Sequence, residues 1–253
     1  MPTAKTPLSV TVITLNESSH IDEALDSVTW ADEVIVVDSG STDDTVRRAR
    51  RYTDHVTERA WTGYGAQKDH AARLARHNWI LSLDADEHVS AELALEIQHV
   101  LQGTPSHRGY RIPRTTWYLD RWIRTTAWYP DPQLRLYDRR VARWSQARVH
   151  ESVQLKGSVG RLRHELLHRP YQDISAHLAT INRYTSLAAE QLYQDGQRTG
   201  PTQLLVHPVA TFVQNYLVHG GCRQGVTGLV VSLMNAYYVL LKHAKLWELA
   251  SHR

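Results

Sequence analysis

The sequence has almost no cysteine and lacks the glycine-rich loops of common nucleotide-binding enzymes. Cys222 is the single cysteine among 253 residues, so the chain cannot form an intrachain disulfide or a thiolate zinc site. Neither GxGxxG nor the Walker A pattern occurs, which argues against dehydrogenases and P-loop enzymes. The opening residues, MPTAKTPL, carry one lysine and no apolar stretch of the signal-peptide type. We therefore expect a protein without a secretory signal that stays in the cytoplasm.

No apolar run is long and pure enough to be a confident membrane span. Two apolar stretches lie near the carboxyl end, at 204–218 and 226–241, and the second includes polar side chains. Two helices on a membrane surface fit these stretches better, with Arg223, Lys242 and Lys245 near anionic headgroups. Packing against the core or against a second subunit is the alternative.

Charge is distributed unevenly along the chain. Residues 1–104 carry 9 Lys and Arg against 17 Asp and Glu, residues 105–170 carry 14 against 5, and residues 171–253 carry 6 against 4. An acidic first part, a basic and tryptophan-rich middle and an apolar end predict that the three segments meet different chemistry. Solvated faces that merely differ in charge are the alternative.

The first hundred residues alternate between apolar runs and segments with helical spacing. Such an alternation predicts a doubly wound, mostly parallel α/β sheet flanked by helices. The expected strands are 8–15, 33–37, 55–58 and 79–83, and the expected helices are 17–28, 46–52, 65–75 and 91–101. We expect Asp43 and Asp44 to cap the second helix, because carboxylates are favoured at helix amino termini.

Polar or acidic residues follow the predicted strands, at the edge of the sheet where α/β proteins bind ligands. Asp84, Asp86 and Glu87 come directly after the strand WILSL. In an extended segment both aspartates point to the same side, where a divalent cation would offset their repulsion. Mg²⁺ or Mn²⁺ takes oxygen ligands and can bridge to a diphosphate. A polar turn before a helix is the alternative.

Five motifs, in this order, resemble glycosyltransferase family 2, and more narrowly the bacterial branch that includes lipopolysaccharide core β-1,4-glucosyltransferases. They are TLNE at 14–17, DSGSTD at 38–43, GYGAQK at 63–68, WILSLDADE at 79–87 and VHE at 149–151. The resemblance implies a GT-A fold, a nucleotide-sugar donor and inversion at the anomeric carbon. It covers roughly residues 8–250. It implies a nucleotide-sugar-binding α/β half at 1–104, a basic acceptor-side segment with the His-Glu motif at 105–170 and a helical, membrane-associated region at 171–253.

The resemblance also assigns expected roles to individual residues. It implies a nucleoside and diphosphate site made by Thr14, Asn16, Glu17, Asp38, Ser39, Lys68 and Asp84. It implies further that Asp84 and Asp86 face the metal ion, and His150 is a third candidate ligand. Lys68 would neutralise phosphate or an acidic acceptor, unless it is a solvated surface lysine.

An inverting transfer by single displacement needs a carboxylate that accepts the proton of the attacking hydroxyl. Glu151, next to His150, is our candidate base, and Glu87 is the alternative. The basic middle segment interleaves arginine with tryptophan, which suits a phosphorylated saccharide, because arginine forks bind phosphate and indole faces stack on sugars. The arginines are Arg111, Arg114, Arg121, Arg124, Arg135, Arg139, Arg140, Arg143 and Arg148, and the tryptophans are Trp117, Trp122, Trp128 and Trp144.

These observations predict a membrane-associated, metal-assisted enzyme that moves a hexose, glucose from UDP-glucose, onto a lipopolysaccharide core or a related glycolipid. The nucleotide sugar, the glycolipid and the cytoplasmic face of the membrane are its expected partners. A polyprenyl-phosphate or surface-polysaccharide glycosyltransferase is the alternative within the same class. A single-stranded nucleic-acid-binding or scaffold module is the alternative from another class. It is disfavoured because the acidic strand ends would repel a polyanion.

Overall fold

The computed structural model describes residues 5–145 and 151–251. The chain divides into two compact units. The sheet unit comprises Met1–Arg114 and Pro132–Arg169, and the helical unit comprises Thr115–Asp131 and Pro170–Arg253. The basic segment 105–170 therefore contributes to both units.

Strands and helices alternate through the first hundred residues, as predicted. In chain order these elements are β1 Leu8–Thr14, α1 Ile21–Asp26, β2 Glu33–Asp38, α2 Thr45–Ala49, β3 Val56–Glu58, α3 Tyr64–Leu74, β4 Trp79–Asp84, β5 Glu87–Val89 and α4 Ala91–Val100. The first helix is shorter than expected, and β5 was not foreseen because three residues carry no readable periodicity.

Short strands dominate the middle of the chain, and three helices follow. The strands are β6 Gly109–Tyr118, β7 Arg121–Ile123, β8 Asp131–Asp138, β9 Ala142–Trp144, β10 Val153–Leu155, β11 Val159–Arg161 and β12 Leu166–His168. The helices are α5 Ile174–Gln194, α6 Pro201–Val213 and α7 Gly225–Ser251. A π-helical turn at Gln214–Val218 and a 3-10 turn at Gly221–Gln224 connect α6 to α7.

The main sheet has the strand order β3-β2-β1-β4-β8-β6-β12-β5. Its first four strands are parallel, and β8 then pairs antiparallel with β4. Strands β9 and β10 form a separate antiparallel pair. The predicted α/β class with a doubly wound sheet and a helical carboxyl-terminal extension is confirmed, and the antiparallel part of the sheet is an addition to it.

Apolar side chains cover both faces of the parallel strands. On one face, Val10 and Val12 of β1 pack with Leu25 of α1 and Ile97 of α4. On the other face, Ile13 belongs to a cluster that includes Val37, Ile80 and two alanines of α3. Burial on both faces explains why these strands read as continuous apolar runs instead of alternating patterns.

The helical unit is held by polar contacts as well as by packing. In the π-helical turn, buried Asn215 accepts hydrogen bonds at Oδ1 from the amide of Ala127 (2.8 Å) and from Nδ2 of Asn235 (2.9 Å). Buried His177 of α5 stacks on Tyr171, with ring centroids 4.2 Å apart, and its Nδ1 lies 3.0 Å from the hydroxyl of Tyr118. These contacts tie residues 115–131 to α5 and to the π-helical turn that connects α6 to α7.

Candidate active site

The predicted site residues that the structure describes come together at one edge of the sheet unit. Thr14 ends β1 and is in register with Asp38, which ends β2. On the other side of β1, Ile13 is in register with Asp84, which ends β4. Since β1, β2 and β4 are parallel neighbours, their carboxyl ends and the loops that follow lie side by side.

The loops after β1 and β2 are joined by hydrogen bonds. Asn16 has a positive φ of 55°, a conformation that asparagine tolerates better than most residues. Its side-chain oxygen accepts from the amide of Thr42 (2.8 Å), and its own amide donates to the hydroxyl of Ser41 (2.8 Å). The Glu17 carboxylate lies 2.8 Å from Nδ1 of His20, a contact that raises the pKa of His20 above its ordinary value. Asn16 and Glu17 thus shape the loop in which they were predicted to bind a nucleoside.

Asp38 braces its own loop. It is 1% exposed, and its carboxylate accepts from the amides of Gly40 (2.9 Å) and Ser41 (2.8 Å) and from the hydroxyl of Ser41 (2.5 Å). Ser39 accepts from Nε2 of Gln67 (3.0 Å). Sequence reasoning missed Gln67, which lies one position before Lys68 on α3 and is fully buried.

The amino-terminal cap of α2 involves only one of the two aspartates that were predicted to form it. Asp43 accepts from the amide of Thr45 (3.0 Å), the first residue of α2. Asp44 occupies the cap position, but its side chain makes no hydrogen bond to the backbone of the helix. It pairs instead with Arg47 at 2.7 Å on the surface. Asp43 therefore performs the capping interaction that was expected of both residues.

Lys68 joins two of the predicted functional carboxylates. Its side chain is 2% exposed, and Nζ lies 3.0 Å from Oδ1 of Asp84 and 3.0 Å from Oε1 of Glu151. The lysine therefore lies between the strand end β4 and the segment that begins at Glu151. A surface role for Lys68, the alternative considered from sequence, is wrong.

A second cation on the other side of Asp84 was not assigned to the site from sequence. Nη2 of Arg135, on β8, donates to Oδ2 of Asp84 at 2.7 Å and to Oε1 of Glu87 at 2.8 Å. Arg135 is almost fully buried and lies between Leu134 and Leu136 in the strand LRLY. An arginine in an otherwise apolar strand was the available signal for a buried ion pair, because arginine is rarely buried without a partner.

Burial alone would raise the pKa of the Asp84 carboxyl. The cations Lys68 and Arg135 outweigh this effect and hold that pKa well below its usual range. Burial likewise opposes the charged form of Arg135, but Glu87 and Asp84 raise its pKa above the ordinary value. Asp84 is therefore ionised at neutral pH and remains so in mild acid.

Glu87 is placed to hold the strand end and not to receive a proton from an acceptor. Its side chain is fully buried, and Oε1 accepts from Arg114 (2.8 Å) and Arg135 (2.8 Å). Oε2 accepts from the backbone amide of Asp84 (3.0 Å). These bonds orient Asp84 and leave Glu87 without access to a substrate.

Asp86 has a partner that sequence reasoning did not identify. Nε2 of His168, on β12, lies 3.2 Å from Oδ2 of Asp86. Burial raises the pKa of Asp86, but His168 and Arg114 together bring it below its ordinary value. The contact arises because β12 pairs with β5, in a register that sets His168 opposite Glu87. No local sequence pattern announces such a pairing between residues eighty positions apart.

The strand end fits a divalent cation by its chemistry. Within 5–145 and 151–251, Oδ1 of Asp84 is buried and receives no hydrogen bond, although Lys68 lies near it. Two carboxylates held ionised, one with an oxygen that receives no hydrogen bond, are the kind of ligands that Mg²⁺ and Mn²⁺ prefer. No cluster of three His, Cys, Asp or Glu side chains is preformed among the residues that the structure describes. His150, the predicted third ligand, lies outside those residues.

Part of the basic segment lies inside the sheet unit. Trp144 is buried, donates from Nε1 to the hydroxyl of Tyr137 (2.9 Å), and has Lys68 Nζ 4.9 Å from its ring centroid. Trp144 and Arg135 thus support the site from behind instead of facing a saccharide. By contrast, Trp117 and Trp122 form a half-buried edge-to-face pair in the helical unit, with centroids 5.1 Å apart.

Several of the remaining arginines line a cavity away from the strand ends. The cavity has a volume of about 320 Å³ and is lined in part by Arg73, Arg139, Arg140 and Arg143. It includes Asn78, which precedes β4, and Tyr137, which pairs with the second residue of β4. It therefore opens at the amino end of β4, whereas Asp84 is at the carboxyl end.

Comparison with known proteins gives a consistent picture. Residues 9–149 match the family model described as Glycosyl transferase family 2. The chain is 28% identical over 251 residues to the lipopolysaccharide core biosynthesis glycosyltransferase LpsC of Rhizobium meliloti (strain 1021), covering 96% of this chain and 93% of that protein. It is 31% identical over 256 residues to an uncharacterized glycosyltransferase of Rickettsia bellii (strain RML369-C), covering 96% and 87%.

Solved structures share the architecture at low sequence identity. The mannosyltransferase PcManGT from Pyrobaculum calidifontis, in complex with GDP-Man and Mn²⁺, superposes with a TM-score of 0.56 at 17% identity, covering 98% of this chain and 89% of that chain. TarS 1-349 of S. aureus, in complex with UDP-GlcNAc, gives a TM-score of 0.51 at 16% identity, covering 94% and 92%. These similarities support the fold, which is the GT-A fold that the motifs led us to expect.

Proposed function

Because the chain belongs to glycosyltransferase family 2, we propose that it transfers a hexose from a nucleotide sugar to a glycolipid acceptor with inversion of the anomeric carbon. The donor that we propose is UDP-glucose, and the acceptor is the lipopolysaccharide core or a related glycolipid. The observation that carries the proposal is the bridge from Asp84 through Lys68 to Glu151, with 3.0 Å at each contact. It brings a candidate metal ligand, Asp84, and a candidate base, Glu151, to one buried cation.

In the proposed reaction Glu151 is the base. The acceptor hydroxyl attacks the anomeric carbon, its proton passes to the Glu151 carboxylate, and the bond from that carbon to the diphosphate oxygen breaks. The nucleoside diphosphate leaves from the face opposite the attack, so the configuration inverts. Lys68 keeps the Glu151 carboxylate in one orientation, and a fixed base avoids the entropic cost of ordering it in the transition state.

The donor would lie along the carboxyl ends of β1, β2 and β4. We assign the nucleoside to the joined loops that carry Thr14, Asn16, Glu17, Asp38 and Ser39. Within the described residues, the hydroxyl of Thr14 and Oε1 of Gln67 are buried without hydrogen-bond partners, so both can serve a ligand.

Asp84 and Asp86 would hold a Mg²⁺ or Mn²⁺ ion, with His150 as a further ligand. When bound, such an ion neutralises charge that develops on the leaving diphosphate. The mannosyltransferase PcManGT, which has the same fold and was solved in complex with GDP-Man and Mn²⁺, supports a divalent ion in general.

The acceptor assignment rests on the similarity to LpsC, a protein of lipopolysaccharide core biosynthesis that matches almost the whole chain. A glycolipid acceptor places the enzyme in the cytoplasm at the inner face of the cell membrane. A polyprenyl-phosphate or surface-polysaccharide acceptor would use the same donor site. The family membership favours an enzyme over a nucleic-acid-binding or scaffold module.

Calorimetric titration of UDP, UDP-glucose and GDP-mannose, with Mn²⁺ and then with EDTA, tests the donor site. We expect one nucleotide class to bind, and only with the metal ion. Asp86→Asn should lose that binding, whereas Glu151→Gln should keep it and lose turnover. Asp54→Asn, an exposed aspartate on the loop before β3, is the matched control and should change neither.

Two results would overturn the proposal. Near-normal turnover by Glu151→Gln would reject the base, and unchanged metal-dependent binding by Asp86→Asn would reject the metal site. Transfer assays with a core glycolipid and with a polyprenyl phosphate then separate the two acceptor classes.

A further inference from the structure

The helices α6 and α7 of the helical unit each expose a stripe of apolar residues. No residue of α6 is buried. Along α6 and the π-helical turn, exposed apolar residues recur every four positions, at Leu205, Val209, Val213 and Leu217. Along α7 they recur every seven positions, with one more between, at Val226, Leu233, Tyr237, Leu240 and Trp247. Such spacing places each set on one side of its helix. An exposed apolar patch of this extent marks a surface that binds a membrane or another protein.

The charge of the same segment indicates that this surface binds a membrane and not another protein. From position 196 to the end of α7 the charged residues are Arg198, Arg223, Lys242, Lys245 and one acidic residue, Glu248. A basic segment that exposes apolar stripes is complementary to a bilayer with anionic headgroups. One acidic residue against four basic ones is too few for a second copy of this segment to neutralise the first.

The length and composition of α7 alone would permit it to cross a membrane. The segment Gly221–Ser251 has 31 residues, and an 18-residue window within it has a mean hydropathy of 1.3. Its neighbour α5 contradicts that arrangement. Nζ of Lys245 donates to the carbonyl of Asn182 (2.6 Å) and to the hydroxyls of Thr185 (2.9 Å) and Ser186 (2.8 Å), all on α5.

Helix α5 carries polar residues on its outer side, Arg183 and Glu190 among them. A spanning α7 would draw these charges and Lys245 into the hydrocarbon, where each costs about 2.5 kcal/mol or more. An arrangement parallel to the membrane keeps α5 in water. The stripe from Val226 to Trp247 is then about 32 Å long in the plane of the bilayer, at 1.5 Å per residue.

We propose that α6 and α7 dock in the plane of an anionic membrane leaflet through these two apolar stripes, without crossing it. The docking surface holds the enzyme at the membrane where a glycolipid acceptor resides. The inference goes beyond the proposed function and does not depend on it, because it needs neither donor nor acceptor. Its test uses lipid and protein alone, so its failure and the failure of the glycosyl-transfer proposal give different results.

The first experiment is co-sedimentation of the full chain with vesicles of phosphatidylcholine, with and without phosphatidylglycerol. We expect binding that is stronger with the anionic lipid and weaker at high salt. Leu205→Glu and Leu233→Glu should each weaken partitioning into the vesicles by about tenfold or more, because a charge would replace an apolar side chain that enters the membrane. Leu95→Glu on α4 is the control, since Leu95 is 69% exposed and Leu205 is 70% exposed. It should leave partitioning unchanged.

An equal loss of partitioning in all three variants, or binding that does not depend on lipid charge, would overturn the proposal. Circular dichroism and the melting temperature identify a variant that has failed to fold, and for such a variant Val209→Glu replaces it. Light scattering without lipid tests whether a second copy of the chain, and not a membrane, binds this surface. A dimer that Leu205→Glu dissociates would assign the surface to a second copy of the chain.

The second experiment distinguishes docking from crossing and uses Cys222, the exposed single cysteine between α6 and α7. Protein bound to the outside of vesicles is treated with a membrane-impermeant maleimide. Docking in the plane leaves Cys222 on the outer side, so we expect labelling without detergent and release of the protein at alkaline pH. Protection of Cys222 until detergent is added would show that the helices cross the bilayer, and would reject the proposal.

Discussion

Replacing Arg135 by methionine should destabilise the protein strongly. The guanidinium is buried and donates to Asp84 at 2.7 Å and to Glu87 at 2.8 Å. Methionine keeps much of the apolar stem volume and removes the charge. Glu87 would retain Arg114 and the amide of Asp84, and Asp84 would retain Lys68. The change therefore removes one of the two cations that neutralise each carboxylate and leaves the other in place.

The magnitude follows from those remaining contacts. Breaking a buried ion pair by removing one partner costs about 3–5 kcal/mol, because the other charge stays buried. Since both carboxylates keep a second cation, we expect the lower end of that range, about 3 kcal/mol. For a chain of this size each kcal/mol lowers the melting temperature by about 2–4 °C, so the expected fall is about 6–12 °C.

Urea unfolding and thermal melting followed by circular dichroism measure this effect. The matched control is Arg47→Met, which breaks the exposed contact with Asp44 and should leave the midpoint unchanged. Adding Glu87→Gln to Arg135→Met should cost less than the sum of the single changes, because the two residues share one contact. A loss below about 1 kcal/mol for Arg135→Met, or strict additivity in the double variant, would refute the ion-pair argument.

Two further predictions concern other parts of the molecule. Burial lowers the pKa of His177 from 6.5 to about 4, so between these values the unfolded chain takes up a proton that the native protein does not, and stability is lost as the pH falls through that window. The loss is about 2 kcal/mol at pH 5, and His177→Phe should remove it; parallel pH profiles of melting temperature for the two proteins would contradict this. A Cβ on Gly65 would meet the carbonyl oxygen of Ser145 at 2.0 Å and the Cβ of Glu151 at 3.7 Å. Gly65→Ala should therefore displace the segment that holds Glu151 and reduce turnover by about tenfold or more. The control is Gly200→Ala, whose Cβ would meet only a side-chain oxygen at 3.5 Å and should not change turnover. Normal turnover by Gly65→Ala would show that the close packing is not needed.

The parallel half of the fold could be predicted because its signals are local. The strands β1, β2 and β4 are short apolar runs, and polar residues follow each of them at the same edge of the sheet. Asp84 and Asp86 could be found in this way, since a strand end is visible in sequence. Glu151 was reached through the resemblance and the demand of the reaction for a base, and its role stays a prediction.

The partners of these residues could not be predicted. Arg135 reaches Asp84 because β8 runs antiparallel beside β4, fifty-one positions later in the chain. His168 reaches Asp86 because β12 pairs with β5. Long-range strand pairing leaves no periodic trace in sequence, so arginines and histidines that appear free become fixed parts of the site only in the folded chain.

The membrane surface illustrates the same division. Composition alone identified two apolar stretches without acidic residues, because hydrophobicity and charge are properties of the sequence. Whether such a helix crosses a bilayer or lies on it depends on its neighbours, and the contacts of Lys245 with α5 are visible only in the tertiary structure. The sequence determined which groups are present and in what order. Packing decided which of them are buried together, and burial determines whether a charge is stabilised by a partner or by water.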